Sequence, residues 1–256
     1  MKRNPFKTLG IAALLLLAAL GRPALAEDVR AEEAGDRVER ARQLVAQLRA
    51  ELKPVDDQIA NAPFLTALER HRVSLDSLRA FAGEQYNILS SDLRSNAHMV
   101  SRFGTQAHGS FFLDLTTGEA EARKLLLDFA RALGMTERDL QAYEPRPGAQ
   151  AYPSYAAWLA FYGSKSDIAA AYLLNFPVFG ANTGRMANAL RNRYGFSAKA
   201  TAFFDFFAFT PPSFEGDALN VIQDGLDQGA SERDIRRAAR LLQAYEKDFW
   251  FTVGQN

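Results

Sequence analysis

The stretch Tyr245-Glu246-Lys247-Asp248-Phe249-Trp250, close to the C-terminus, sets one carboxylate beside bulky aromatics on a segment that otherwise reads as an ordinary helix. Burial next to such rings disfavours the charged form of a carboxyl, so Glu246 is a candidate acid or hydrogen-bond anchor. The chain around it has 256 residues, no cysteine and three histidines, which removes most of the side chains that would name a reaction outright.

Upstream of this stretch the chain reads as helix after helix. Glu27 to Lys53 carries Val38, Ala41, Val45, Leu48 and Leu52 on one stripe, and Pro54 ends it. A second unit spans Val55 to about Arg70, and a long helix runs from Ser74 to about Phe103. Gly104 to Gly118 reads as a break with a short helix, then Glu119 to Leu133 as a helix closed by Gly134. Thr136, Ser164 and Ser231 are each followed three residues on by Asp, a capping-box variant that marks helix starts. Tyr152–Tyr162, Asp167–Tyr194 with Gly195 as its stop, Ser197–Phe209, Leu219–Leu226 and Glu232–Phe251 complete the set. No segment alternates with period two in β-branched residues, so one all-α domain over 55–256 is expected, with the 27–54 helix packed on it or extending from it.

The first 26 residues stand apart. Lys2, Arg3 and Lys7 precede an apolar run from Leu9 to Leu20, and Pro23-Ala24-Leu25-Ala26 ends it in a small-x-small pattern. The pattern is that expected of a secretory leader cut after Ala26, its apolar run too short to span a bilayer core of about 30 Å comfortably, with an uncleaved anchor as the other reading. Removing Lys2, Arg3, Lys7 and Arg22 from 30 basic residues leaves 26 against 30 acidic, a net charge of −4. A periplasmic or secreted protein with no basic field to attract nucleic acid, and no stable membrane insertion once the leader is cut, is expected.

No His has a carboxylate one helical turn away on either side, so the spacing typical of helical di-iron sites is missing and no metal ligand is assigned. There is no nucleophile elbow and no phosphate-cradling glycine loop. What remains is an aromatic and amide set: Glu84-Gln85-Tyr86-Asn87 in the long helix, Tyr152 and Tyr155, Asn175 and Asn182, and Glu246. These read either as interhelical hydrogen bonds or as polar anchors of a pocket between helices. The segment Phe203-Phe204-Asp205-Phe206-Phe207-Ala208-Phe209 reads as core, with a pocket wall as the second reading.

The order of these features resembles the TenA/thiaminase II and PqqC-like group of the haem-oxygenase-like fold. The landmarks are Pro63-Phe64-Leu65, Leu78-Arg-Ala-Phe-x-x-Glu-Gln-Tyr86, Phe129-Ala-x-x-Leu-Gly134, Tyr152-x-Ser-Tyr155, Gly163-x-x-x-Asp-Ile168 and Tyr245-Glu-x-x-Phe-Trp250, over residues 40 to 252. The resemblance implies a haem-oxygenase-like bundle in which Glu246 assists proton transfer and Tyr152 holds the ligand. The Asp that anchors an aminopyrimidine in thiaminase II falls at Gln85, the nucleophilic Cys at Asn175 or Phe176, and the His before Pro-Phe at Ala62. Cysteine-dependent thiamin cleavage is therefore not expected. Of the iron-containing oxidases of the same fold, Glu119 remains, while Ala122 stands at the His position.

The expectation is an exported helical protein whose cavity binds a small organic ligand without a cofactor, iron being the runner-up. Catalytic Glu246 would be surrounded by ligand-binding Gln85, Tyr86, Tyr152, Asn175 and Phe207. A divergent enzyme, a non-catalytic binding or interaction protein, and an atypical iron-containing redox enzyme are the alternatives, and a homodimer is possible on the same resemblance.

Overall fold

A computed structural model describes residues 38–255; the expected leader and residues 27–37 of the expected 27–54 helix lie outside them. Residues from Arg40 onward form one compact unit. Among the described residues every regular element is a helix: α1 (Glu39–Ala60), α2 (Pro63–Glu69), α3 (Leu75–Phe103), α4 (Ser110–Ala132), α5 (Glu137–Gln141), α6 (Pro147–Tyr162), α7 (Lys165–Tyr194), α8 (Ala202–Ala208), α9 (Phe214–Asp227) and α10 (Glu232–Val253).

The caps behave as their residues dictate. The side chains of Ser74, Thr136, Ser164 and Ser231 accept from the backbone N–H three residues on. At Thr136 and Ser164 the Asp returns the bond, closing a full capping box. Gly195, at φ +75°, takes the left-handed turn that ends α7.

The helices expected from Tyr152 and Leu219 begin five residues earlier, at Pro147 and Phe214, and three other boundaries also shift. α1 continues through Pro54 to Ala60, because Pro54 lies on the exposed side, where the carbonyl it orphans meets water while Leu52 and Ile59 stay buried. α4 is one helix through Gly118, because Phe111, Phe112, Leu115, Glu119, Ala122 and Leu126 keep a buried stripe across it. The Phe-rich helix is shorter, Ala202–Ala208. It is also only half core: Phe203 and Phe204 are fully buried, but Phe209 is 67% exposed. Asp205 is exposed and pairs with Arg191 at 2.6 Å.

α7 packs against α2, α8, α9 and α10, while α3 packs against α4, α5 and α6, and α10 also lies on α6. An aromatic core fills the space between them. Phe81 meets Phe64, Phe204, Phe249 and Trp250 at centroid distances of 5.8, 5.8, 5.9 and 6.3 Å. Such offset and edge-on pairs add to the apolar area they bury. No helix of the described residues is long and apolar enough to cross a membrane.

Candidate functional site

On α3, Gln85, Ile88, Leu89 and Asp92 follow an i, i+3, i+4, i+7 spacing, so all four face one line along the helix. They line a chamber of about 30 Å³ closed by Glu119 of α4, Tyr152 of α6, Asn175, Phe176 and Phe179 of α7, Phe207 of α8, and Glu246 and Phe249 of α10. That volume holds about one or two waters, or the head of a ligand.

Glu246 is 3% exposed, and its Oε1 accepts a hydrogen bond from Trp250 Nε1, one helical turn on, at 2.6 Å. Burial pushes its carboxyl up to about 7, against the lowering effect of the Trp250 and Asn175 bonds. Asp92, 4% exposed, is pushed up to about 8 by burial and by the nearby Glu246 charge. Burial, with Asp92 as neighbour, raises Glu119 well above the usual carboxylate range. Asp92 Oδ1 and Glu119 Oε2 are buried without a hydrogen-bond partner among the described residues. No Lys, Arg or His lines the chamber. Three acids thus share a buried space with no cation among its lining residues, and protonation relieves the cost.

A fixed amide chain braces the opposite wall. Tyr152 Oη donates to Asn175 Oδ1 at 3.1 Å, Asn175 Nδ2 donates to Gln243 Oε1 at 3.1 Å, and Gln243 Nε2 donates to Asp56 Oδ1 at 2.6 Å. Burial holds the Tyr152 and Tyr172 hydroxyls well above their usual range, so both stay protonated donors. Gly180 of α7 lets α8 come close: a Cβ there would lie 2.4 Å from the Phe207 carbonyl oxygen.

Of the residues expected from sequence, Glu246, Gln85, Tyr152, Asn175 and Phe207 meet in this chamber. Tyr86 does not. One residue along α3 from Gln85, it is turned by about 100°. Its hydroxyl donates to Glu137 Oε1 at 2.9 Å and accepts from Arg123 at 2.7 Å, so Tyr86 clamps α5 to α3 and α4. Glu84 is likewise turned away and bonded to Tyr143 and Arg146.

Asp92 escaped sequence reasoning, although its position seven residues after Gln85 was the available signal. Glu119 had been noted only as a remnant of an iron ligand set. The residues do not fit a di-iron centre or haem. His71 and His108 are exposed, His98 stacks on Phe161 at 4.1 Å, and none lines the chamber. No group of three or more His, Asp or Glu among the described residues is placed to hold a metal ion.

A second, larger cavity of about 500 Å³ adjoins the chamber, with Glu119, Phe176 and Phe207 in both linings. Its wall includes Phe111, Leu115, Phe206, Phe209 and Phe214.

Solved structures of low identity share the fold. A TenA homologue from Pyrococcus horikoshii aligns at 16% identity and a TM-score of 0.66 over 83% of this chain and 99% of that one. A domain of unknown function with a haem-oxygenase-like fold from Shewanella denitrificans aligns at 14% and 0.66, over 81% and 90%. Haem oxygenase-1 from the cyanobacterium Synechocystis, in complex with haem, aligns at 17% and 0.57, over 81% and 90%. No curated protein matches the chain. The family model for TENA/THI-4/PQQC proteins matches residues 49–254, from within α1 to the end of α10, and the chain belongs to that family.

Proposed function

We propose that the chamber receives the basic nitrogen of a small organic molecule and exchanges a proton with it. Glu246 and Asp92 are the proton-carrying groups, Glu119 is the neighbouring acid, and Tyr152 and Asn175 orient the ligand. The observation that carries this reading is the set of three buried acids with two unpartnered oxygens and no cation among the lining residues. A neutral carboxyl and a neutral amine react to carboxylate and ammonium, and the ion pair so formed satisfies both groups in a buried site. General acid–base work suits groups titrating near neutrality, as Glu246 and Asp92 do.

Covalent catalysis of the thiaminase II kind has no nucleophile here. The position expected for its Cys, Asn175 or Phe176, lies in the chamber as an amide or a phenyl ring. Phe176 is stacked between Tyr172 and Phe214, at 5.1 and 5.6 Å. The reading places the protein outside the cytoplasm, on the leader pattern of Met1–Ala26.

A binding role without turnover is the second reading, favoured by the rigid Tyr152–Asn175–Gln243–Asp56 chain, which positions a ligand without supplying a reactive group. Glu246→Gln tests the site. Titration of the purified protein with a panel of primary and heterocyclic amines should show binding that this variant weakens by about tenfold or more. Amine binding indifferent to Glu246→Gln contradicts the assignment. Product formation by wild type and not by the variant separates enzyme from binder.

A further inference from the structure

The inner chamber has room for a head group and nothing larger, and what surrounds its entrance is apolar. The outer cavity, about 500 Å³, lies within the 300–1,000 Å³ range of sites for drug-sized molecules. Phe111, Leu115, Phe206, Phe209 and Phe214 form most of its wall. The ionisable residues of that lining are all acids: Asp114 and Asp217, with Glu119 where the two cavities meet. No Lys, Arg or His lines either cavity.

Glu119 joins the two cavities. It belongs to both linings, it is 9% exposed, and its Oε2 is buried without a hydrogen-bond partner among the described residues. An unsatisfied carboxyl oxygen at the neck of a phenyl-walled vestibule asks for a partner attached to an apolar body. A fatty acid's carboxylate can form no ion pair with these acids, and its charge is desolvated without an opposite charge to meet it. A neutral alcohol supplies a donor and no charge.

Building on the amine reading above, we propose that the natural ligand is an amphiphilic amine. Its nitrogen lies at Glu119 and the chamber behind it, and its hydrocarbon tail lies in the Phe-lined vestibule between α4, α8 and α9. Phe176 and Phe207, shared by the two linings, flank the point where head and tail join. Phe209, 67% exposed, stands at the outer end, where the tail covers it.

Isothermal titration of the full chain with n-butylamine, n-decylamine, decanoate and 1-decanol, each below its micelle concentration, tests the proposal. The expected result is n-decylamine at least about tenfold tighter than n-butylamine, because each methylene removed from water adds to the driving force. Decanoate and 1-decanol should be at least about tenfold weaker than n-decylamine, for want of the charge pairing. Glu119→Gln, which keeps the side chain's shape, should remove most of the preference for amine over alcohol. Phe209→Ser, at a position 67% exposed, should bring n-decylamine down toward n-butylamine.

Equal affinity for the two amines overturns the vestibule assignment while the amine reading stands. Decanoate binding as tightly as n-decylamine shows a purely apolar site and overturns the role of Glu119. No binding of any amine overturns the proposal together with the function it rests on.

Discussion

Glu84 and Asp92 stand two turns apart on α3, are 0% and 4% exposed, and are treated in opposite ways. Glu84 is fully met: Oε1 accepts from Tyr143 Oη at 2.9 Å and from the backbone N–H and Nε of Arg146 at 3.1 and 2.9 Å. Arg146 also donates to the Thr252 carbonyl at 2.8 Å, tying the α5–α6 connection to the end of α10. Asp92 has a bare oxygen, two acidic neighbours and no cation. Burial is common to both; what differs is compensation. A buried acid with its partner supplied is part of the scaffold, while one left wanting is held ready for something that arrives from outside.

Breaking the compensated side should cost most. Arg146→Ala leaves Glu84 buried without its cation, with the Tyr143 and backbone N–H bonds still in place. Urea unfolding should show a loss of about 3 kcal/mol, the lower end of the range for breaking a buried pair because Arg146 is 30% exposed.

The uncompensated side should respond with the opposite sign. The folded values of about 8 for Asp92 and about 7 for Glu246 lie above their ordinary 3.8 and 4.5, so the folded chain holds these protons more tightly than the unfolded chain. The stability they contribute is whole below about pH 4 and is lost as pH rises through 7 to 8. Glu119, Tyr152 and Tyr172, also raised, face the same space and shift no charge in the opposite direction over that window. Wild-type Tm should fall between pH 5 and pH 8. Asp92→Asn should flatten that slope and, at pH 8, stabilise the fold by about 2 kcal/mol, the desolvation cost of one buried polar group. A Tm that rises over this interval would place the three acids on the same footing as Glu84.

Two smaller effects sharpen the contrast between scaffold and site. Gly180→Ala pushes a methyl into the Phe207 carbonyl and should cost about 1–2 kcal/mol. It should also reshape the neck between the two cavities, read as a loss of amine affinity larger than the loss of stability explains. Tyr86→Phe removes the hydroxyl that joins α3 to Arg123 and Glu137, and should cost about 1 kcal/mol in thermal unfolding with no change in amine binding.

The helices were legible because helix starts and stops are written locally. Ser74, Thr136, Ser164 and Gly195 each act through their own turn. Pro54 and Gly118 misled because their cost depends on whether the site faces water or core, which only packing decides. The same limit applied at the site. Glu246 was visible because its rings are neighbours in sequence. Asp92 was not, since its acidic neighbours come from α4 and α10. Tyr86 looked like a site residue because it adjoins Gln85, yet adjacency on a helix is divergence in space. Half of the Phe-rich helix passed for core because its outward rings line a cavity instead of packing against a partner helix.

The central claim, that the chamber keeps its acids neutral until a cation arrives, can be measured on the carboxyl groups themselves. Infrared difference spectra between wild type and Asp92→Asn, and between wild type and Glu246→Gln, isolate the carbonyl stretch of each protonated carboxyl. Both bands should be present at pH 6 and vanish with midpoints near 8 and 7 as pH rises, and an amine ligand added at pH 6 should remove one of them, since one nitrogen takes one proton. Bands already absent at pH 6 without ligand would mean that the acids are ionised and compensated, and would contradict the claim.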